Sequence, residues 1–442
     1  MRFRILGLMV LLGLSAGAMA ADLRQADYAN GVRLIVQEDH AAPVAIVQVW
    51  LKVGGRDELP GRTGLAHVFE HMMFKGSKRL GPGEFSRRIA AMGGNDNAFT
   101  SHDYTAYFET VPADHVDEVL RMEAERFGHL ALRDEDFQKE IRVIMEERRM
   151  RTDDNPNARM FEELSAAALR LHPYRNPVIG WMQDLKRLTI EDVRAFYRAH
   201  YVPGNATVVV VGDVDFEHLK KVVGESFGRL KQRPVSPRFD PVEPEPLGPK
   251  RITVELEAQS PMLAIAIPVP VWKPGENDRE AAALAVATHI LAGGRSALLT
   301  RRIVDEQRRA FAVSAGYNPF AMGLDLWYAY GMLNGKQSPQ DFENSFWAVI
   351  DRLAKRGPEA AALKAAKRNI IADQIYAQDS LYLRARQIGE METVGIGAAR
   401  IEDWLAEIRK VTAADVQRVL SRWIVPKRAT TGLLKPLSGG AS

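Results

Sequence analysis

The pentapeptide His67-Val68-Phe69-Glu70-His71 sets two imidazoles four residues apart with a glutamate between them. At 100° per residue, Leu65, Val68, Phe69, Met72 and Met73 form one apolar stripe of a helix. His67, Glu70 and His71 fall together on the opposite side, shared with Phe74. No other charge intrudes between Gly64 and Lys75, so that side looks into an enclosed polar space and not into solvent. Two histidines at i and i+4 bring two ring nitrogens onto one metal ion, and zinc suits imidazole and carboxylate ligands. Glu70 then sits beside the metal without being a ligand, free to accept a proton from water. The plainer alternative is a pair of buried histidines satisfied by backbone carbonyls.

A third ligand is required. The chain has no cysteine, so it must be a histidine or a carboxylate. Residues 134–147 have helical periodicity, with Phe137, Ile141, Ile144 and Met145 as the core stripe. Glu140 and Glu147 lie together at the border of that stripe, and Glu146 points nearly opposite. The run Glu146-Glu147-Arg148-Arg149 also reads as a charged surface, and for Glu146 that reading holds. For Glu147, periodicity leaves ligand and surface residue both open.

The elements that must position these groups belong to a chain of 442 residues, enough for two to four domains. Hydrophobic residues at 46% and charged residues at 26% exclude a disordered chain. The mean hydropathy of -0.20 excludes a multi-span membrane protein. Zero cysteines remove disulfides, thiol nucleophiles, iron–sulfur clusters and lipidated cysteine anchors together. Of the net charge of +3, two units are Arg2 and Arg4; the remaining +1 implies no nucleic-acid partner. Those arginines, the apolar run at 5–14 and the small-x-small site Ala18-Met19-Ala20 read as a signal peptide cleaved after Ala20. Ten apolar residues fall short of the roughly 20 that span a bilayer. The expectation is an exported protein with no stable membrane anchor, periplasmic in a Gram-negative bacterium. An uncleaved anchor or a buried first helix is the alternative.

Residues 231–250 contain six prolines and no hydrophobic periodicity, and read as an extended linker between nearly equal halves. The halves carry an internal repeat. Trp181, Leu188-Thr189, Asp192-Val193, Pro203, Ala206 and Thr207 match Trp404, Val411-Thr412, Asp415-Val416, Pro426, Ala429 and Thr430, each 223 positions apart. Thr189 and Thr412 read as helix N-caps, and the segments after Pro203 and Pro426 as strands. In the first half, strands are expected at 32–37, 44–53, about 97–111 and 206–211. Helices are expected around 63–75 and 83–92 and in a region running to about 200. The fold class is therefore α+β, each half a mostly antiparallel sheet with helices packed on it. The expected units are a signal peptide (1–20), a metal-binding domain (21–230), the linker (231–250) and a homologous second domain (251–442).

H-x-x-E-H is the inverzincin signature, and the chain resembles the pitrilysin family, in particular the branch related to the mitochondrial processing peptidase. The likeness spans nearly the whole chain after residue 20. It rests on Gly54-Gly55-Arg56-Asp57-Glu58, Gly64 through Gly76, Gly93-Gly94-Asn95-Asp96-Asn97-Ala98-Phe99-Thr100, Tyr104-Thr105 with Tyr107, and Val143-Ile144-Met145-Glu146-Glu147 with Asp154-Asn155-Pro156. The resemblance implies a zinc endopeptidase for unfolded or short peptides, enclosed in a chamber. His67, His71 and Glu147 would bind Zn2+, and Glu70 would activate water. Glu140 would support the site without binding metal. Asn97, Ala98 and Phe99 would pair with extended substrate backbone. Adding 223 to the ligand positions lands on Ile290, Gly294 and Ile370, so the second half is expected to be a non-catalytic wall, and its His289 structural. Many active relatives carry there an arginine and, seven positions on, a tyrosine that contact substrate; aligned on Val313-Ser314-Ala315, those places hold Val304 and Phe311. Arg308 and Arg309 lie nearby, out of register. A second pitrilysin-type subunit is therefore expected to complete a heterodimer, with a homodimer, a non-catalytic subunit and a dedicated precursor-processing enzyme as alternatives.

Overall fold

A run of four valines, Val208 to Val211, suits a strand buried on both faces, and all seven residues of that strand are buried. A computed structural model describes residues 23–276, 278–334 and 337–437; the expected signal peptide lies outside the described residues. The strands β1 (Leu23–Asp27), β2 (Arg33–Glu38), β3 (Val44–Leu51), β4 (Asn95–Thr100), β5 (Thr105–Pro112) and β6 (Ala206–Gly212) form one sheet, ordered β1-β2-β6-β3-β5-β4. A second sheet joins β7 (Lys250–Leu256), β8 (Met262–Pro270), β9 (Ala310–Gly316), β10 (Leu324–Leu333) and β11 (Thr430–Pro436) in the order β7-β11-β8-β10-β9. Each sheet has one parallel pair, β2 with β6 and β7 with β11, among otherwise antiparallel neighbours. This is the two-unit α+β architecture expected. The polar strand β1, Leu-Arg-Gln-Ala-Asp, was not expected; it has no apolar alternation to announce it.

Along β3 the side chains alternate between two cores. Ala45, Val47, Val49 and Leu51 face a helical layer containing α1 (Leu65–Met72), α2 (Glu84–Ala91), α3 (Val116–Gly128) and α4 (Asp134–Arg148). Ile46 and Trp50 face the other way, against Ala385 and Ile388 of the helix Leu381–Thr393. That helix belongs to the second half of the chain. The first half returns the exchange: α5 (Pro156–Ala168) packs Met160, Leu164 and Ala168 on Met262, Ala264, Ala266 and Leu434 of the second sheet. Each sheet is thus covered on one face by a helix of the opposite half.

Residues 231–249 form neither helix nor strand, and Lys250, expected in the linker, already begins β7. The segment is fastened along its length. Arg238 pairs with Asp57 at 2.9 and 2.7 Å, Asp240 accepts from the buried Arg56 at 2.9 Å, and Glu243 accepts from the backbone N–H groups of Arg170, Leu171 and His172.

Both expected N-caps form reciprocal capping boxes, Thr189 with Asp192 and Thr412 with Asp415. The repeat interval, however, changes along the chain. Val49 pairs with Val208 and Ile265 with Thr431; Thr431 lies 223 positions after Val208, whereas Ile265 lies 216 after Val49. The interval of 223 that leads to Ile290 and Gly294 therefore does not hold at β8, and the helix that follows, Asp278–Ala292, offers a single imidazole, His289, with no metal-holding group around it among the described residues.

Candidate metal centre

The helix α1 begins at Gly64, whose φ of +90° favours glycine. A Cβ there would lie 2.7 Å from the Ile179 carbonyl oxygen. The Glu58 carboxylate accepts hydrogen bonds from the N–H groups of Gly64 and Ala66, both at 2.7 Å, satisfying donors that a helix start leaves open. Val68, Phe69 and Met72 are fully buried, and Phe69 lies against Tyr197 and Tyr201 with ring centroids 5.6 and 3.9 Å away. The helix is thereby fixed in rotation, and His67, Glu70 and His71 emerge together on its other side. Phe74 departs from that side. The chain tightens to a 3-10 turn at Met73–Lys75, and Phe74 packs beside Tyr107 and under Arg126.

The periodicity read in α4 holds, and it resolves the ambiguity at its end. Phe137, Ile141 and Ile144 are buried, Glu140 and Glu147 line the inner border, and Glu146 is 70% exposed and paired with Arg149. Arg148 is not part of a surface run. It is fully buried, bidentate to Glu162 at 2.8 and 2.9 Å and bonded to the Gly180 carbonyl.

The structure brings His67, His71 and Glu147 together. Glu147 Oε2 lies 3.8 Å from His67 Nε2 and 3.4 Å from His71 Nε2, and the three donor atoms fall within 4.8 Å of one another. Ligand atoms on a tetrahedral zinc with bonds of about 2.0–2.1 Å stand about 3.4 Å apart. No other such group of three occurs among the described residues. Burial, helped by the charges of His71 and Arg151, pulls the His67 pKa down to about 3, so its ring is neutral and keeps a lone pair for a metal. Two imidazoles and one carboxylate, half-buried and closely spaced, fit zinc.

Around these three stand supporting groups. Glu140 Oε2 lies 3.3 Å from His71 Nδ1, and Lys75 Nζ lies 2.6 Å from Glu140 Oε1. Burial raises the Glu140 pKa, but these partners outweigh it and hold the carboxyl below its ordinary value. The contact leaves His71 Nε2 directed at the ligand cluster. Glu70 accepts a hydrogen bond from Thr100 Oγ1. Burial raises the Glu70 pKa, and Thr100, His71 and Arg151 oppose that rise. Glu147 Oε1 is held by Arg151 Nη1 at 2.6 Å. Sequence reasoning missed Lys75, Thr100 and Arg151. For Thr100 a signal existed: it shares a strand face with Ala98, two residues earlier.

The expected substrate strand, β4, is the edge of the first sheet, paired on one side with β5. Ala98 faces the α1 layer. Phe99 points to the opposite face, against Trp50 at 5.4 Å, Phe108 and the guanidinium of Arg386. Asn97 is exposed and accepts a hydrogen bond from the Ala98 N–H. Val304 lies in a π-helical turn, Thr300–Glu306, and Phe311 is 60% exposed on β9, at the edge of the second sheet. Neither can donate a side-chain hydrogen bond. Arg309 is engaged by Gln337 and Asp341. His289 meets Asn369 at 3.4 Å.

Against known proteins, the insulinase (peptidase family M16) model matches residues 33–181, and the peptidase M16 inactive-domain model matches residues 187–370. The zinc protease PqqE of Helicobacter pylori is 30% identical over 417 residues, covering 92% of this chain and 91% of that one. An uncharacterized zinc protease of Streptomyces coelicolor is 26% identical over 426 residues, covering 94% and 90%. The crystal structure of a protease from Helicobacter pylori superposes with a TM-score of 0.88 at 28% identity, covering 94% of this chain and 100% of that one. The periplasmic protease PqqL of Escherichia coli shares the fold, with a TM-score of 0.78 at 17% identity, over 93% of this chain and 47% of that one.

Proposed function

The chain belongs to the insulinase family of peptidases, family M16, and from that premise we propose that it is an exported, zinc-dependent endopeptidase acting on unfolded or short peptides. The observation that carries the proposal is the convergence of His67, His71 and Glu147 beside a buried, oriented Glu70. When bound, zinc supplies Lewis acidity, polarising a peptide carbonyl and making water more acidic. His67 and His71 would offer ring nitrogens to the metal, and the Glu140 contact at His71 Nδ1 leaves Nε2 free. Glu70 takes the proton from the attacking water and returns it to the leaving amine. Its burial favours this role, because a carboxylate with a raised pKa is a stronger base. Substrate backbone pairs with the free edge of β4 at Asn97, Ala98 and Phe99, which places an extended chain alongside α1. That edge selects unfolded segments, since a folded strand has no free backbone to offer.

The test is zinc content of the mature chain together with cleavage of a peptide mixture, with and without a chelator. Glu70→Gln is expected to keep the metal and lose turnover, because the amide preserves shape but cannot act as a base. Near wild-type turnover in that variant would remove Glu70 from the mechanism. N-terminal sequencing of exported protein is expected to begin at Ala21.

A second reading concerns assembly. PqqL is about twice the length of this chain, which covers nearly all of itself but 47% of PqqL. With Val304 and Phe311 in place of an arginine and a tyrosine, this chain is best read as one unit of a two-unit chamber, its partner a second pitrilysin-type subunit. Strong turnover by a lone homodimer would defeat the heterodimer; the intact His67, Glu70 and His71 argue that this chain is the catalytic member.

A further inference from the structure

The metal-facing carboxylate is held from behind by a residue outside the ligand motif. Glu147 divides its two oxygens between different neighbours: Oε2 faces the histidines, and Oε1 lies 2.6 Å from Arg151 Nη1. We infer that Arg151 is a positioning residue that fixes Glu147 as a one-oxygen ligand and so sets how tightly this chain holds its metal. The inference rests on the zinc reading above.

Most i, i+4 pairs at a protein surface contribute little, because both partners are solvated and mobile. The neighbouring i, i+3 pair Arg149 and Glu146 is such a solvated surface pair, 45% and 70% exposed. The Arg151 pair is asymmetric. The Glu147 side chain is 13% exposed, whereas that of Arg151 is 68% exposed. The carboxylate that must stay in place is enclosed, and the cation reaches in from the rim.

The backbone beneath Arg151 is fixed. After Arg148 the chain leaves α-helical geometry for a π-helical turn at Arg149–Asp153, closed by a 2.8 Å hydrogen bond from the Asp154 N–H to the Arg149 carbonyl. Such turns widen the helix by a residue and often occur at functional sites. This one is pinned before it by the buried Arg148–Glu162 pair, and after it by Asn155, whose side chain caps α5. Arg151 is therefore anchored at its base and, through its guanidinium, at Glu147, while most of its side chain stays exposed.

Two of the three ligands have a charged supporter: Glu140 behind His71, itself held by Lys75, and Arg151 behind Glu147. His67 Nδ1 is buried with no hydrogen-bond partner among the described residues. The Glu140 support is largely enclosed; the Arg151 support stands open to the medium and is therefore screened by salt. Without it, Glu147 is free to bind through both oxygens or to rotate away. Loss of an outer partner of a metal ligand typically weakens the metal about 10–100-fold.

The experiment uses the full mature chain and zinc alone as the probe, titrated against a chromophoric chelator at low and high salt. Arg151→Met is expected to weaken zinc about 10–100-fold, and Arg151→Lys to recover most of that loss. Arg149→Met should stay within about two-fold of wild type, as a surface pair predicts. Wild-type affinity should fall as salt rises, and that dependence should flatten in Arg151→Met. Thermal unfolding of the metal-free forms should coincide, which separates positioning from folding. Zinc affinity in Arg151→Met within two-fold of wild type would overturn the inference. So would an equal loss in Arg149→Met, or metal-free Arg151→Met and Arg151→Lys proteins that both unfold early. A wild-type chain that binds no zinc would instead sink the metal reading itself.

Discussion

Replacing Gly389 with alanine tests the helix exchange by the sign of its effect. In an ordinary helix interior, Gly→Ala stabilises by about 1 kcal/mol. Gly389 lies in the helix Leu381–Thr393, where a Cβ would stand 2.0 Å from Trp50 Cε2 and 2.1 Å from its Nε1. The indole cannot swing aside. Trp50 is fully buried, its Nε1 donates to Gln48 Oε1 at 2.7 Å, and its ring meets Phe99 and Tyr104 edge-on at 5.4 and 5.0 Å. Overpacking of a filled core costs about 1–3 kcal/mol, and a rigid, doubly held ring places this case at the upper end. The net expectation is a loss of about 1–2 kcal/mol after the helical gain. For units of 150–250 residues that lowers Tm by about 2–8 °C. Gly432→Ala is the control across the other exchanged contact. Its Cβ would meet Met160 Cε at 1.8 Å, but that atom ends a flexible side chain that can move aside. Thermal unfolding of the metal-free proteins should show a clear drop for Gly389→Ala and a smaller one for Gly432→Ala. Because Trp50 also touches Phe99 on β4, the proposed substrate edge, Gly389→Ala should raise KM. An unchanged or raised Tm in Gly389→Ala would refute the packing argument.

Alanine at His67, His71 or Glu147 should abolish stoichiometric zinc, whereas Glu146→Ala should keep it; elemental analysis decides, and full occupancy in Glu147→Ala would remove that ligand. Thr100→Val deletes a hydrogen bond to a carboxylate, worth about 1.5–3 kcal/mol, so kcat should fall about 10–100-fold with zinc retained and with rescue by Thr100→Ser. Asp325 gives a pH test: burial raises its carboxyl from 3.8 to about 7, against hydrogen bonds from backbone N–H groups that lower it. The folded chain then holds that proton more tightly than the unfolded chain. The stabilisation is therefore full below about pH 4 and is lost as pH rises through 7. Asp325→Asn should flatten that decline in denaturation midpoints of metal-free protein, and an identical slope would count against it.

Local features were legible in the sequence wherever one element decides its own outcome. The stripe Leu65, Val68, Phe69 and Met72 predicted which way α1 turns its histidines, because a 3.6-residue period fixes both faces at once. The same logic separates Glu140 and Glu147 from Glu146. Phe74 escaped it because the helix tightened within the motif. Arg148 escaped it because its partners, Glu162 and the Gly180 carbonyl, come from later in the chain. The repeat was readable where its interval is constant, and the single interval of 223 fails at β8, which lies 216 positions after its counterpart β3. Thr100 reaches Glu70 across elements, a contact that spacing alone does not reveal, whereas Arg151 stands four residues after Glu147, within the reach of helical spacing.

The exchange of helices also governs how the chain can fold. As synthesis proceeds from the N-terminus, Ile35, Ile46, Trp50, Val209 and Val211 present an apolar sheet face whose cover arrives with residues 381–393. The apolar face of α5, formed much earlier, has no sheet to cover until the second one is built. Neither half can therefore be completed as an independent unit, although each has its own sheet. A chain truncated after the first sheet should be sticky and prone to aggregate. A chain cut within residues 231–249 after folding should hold together as a two-fragment complex, its pieces clasped by the helices they have traded.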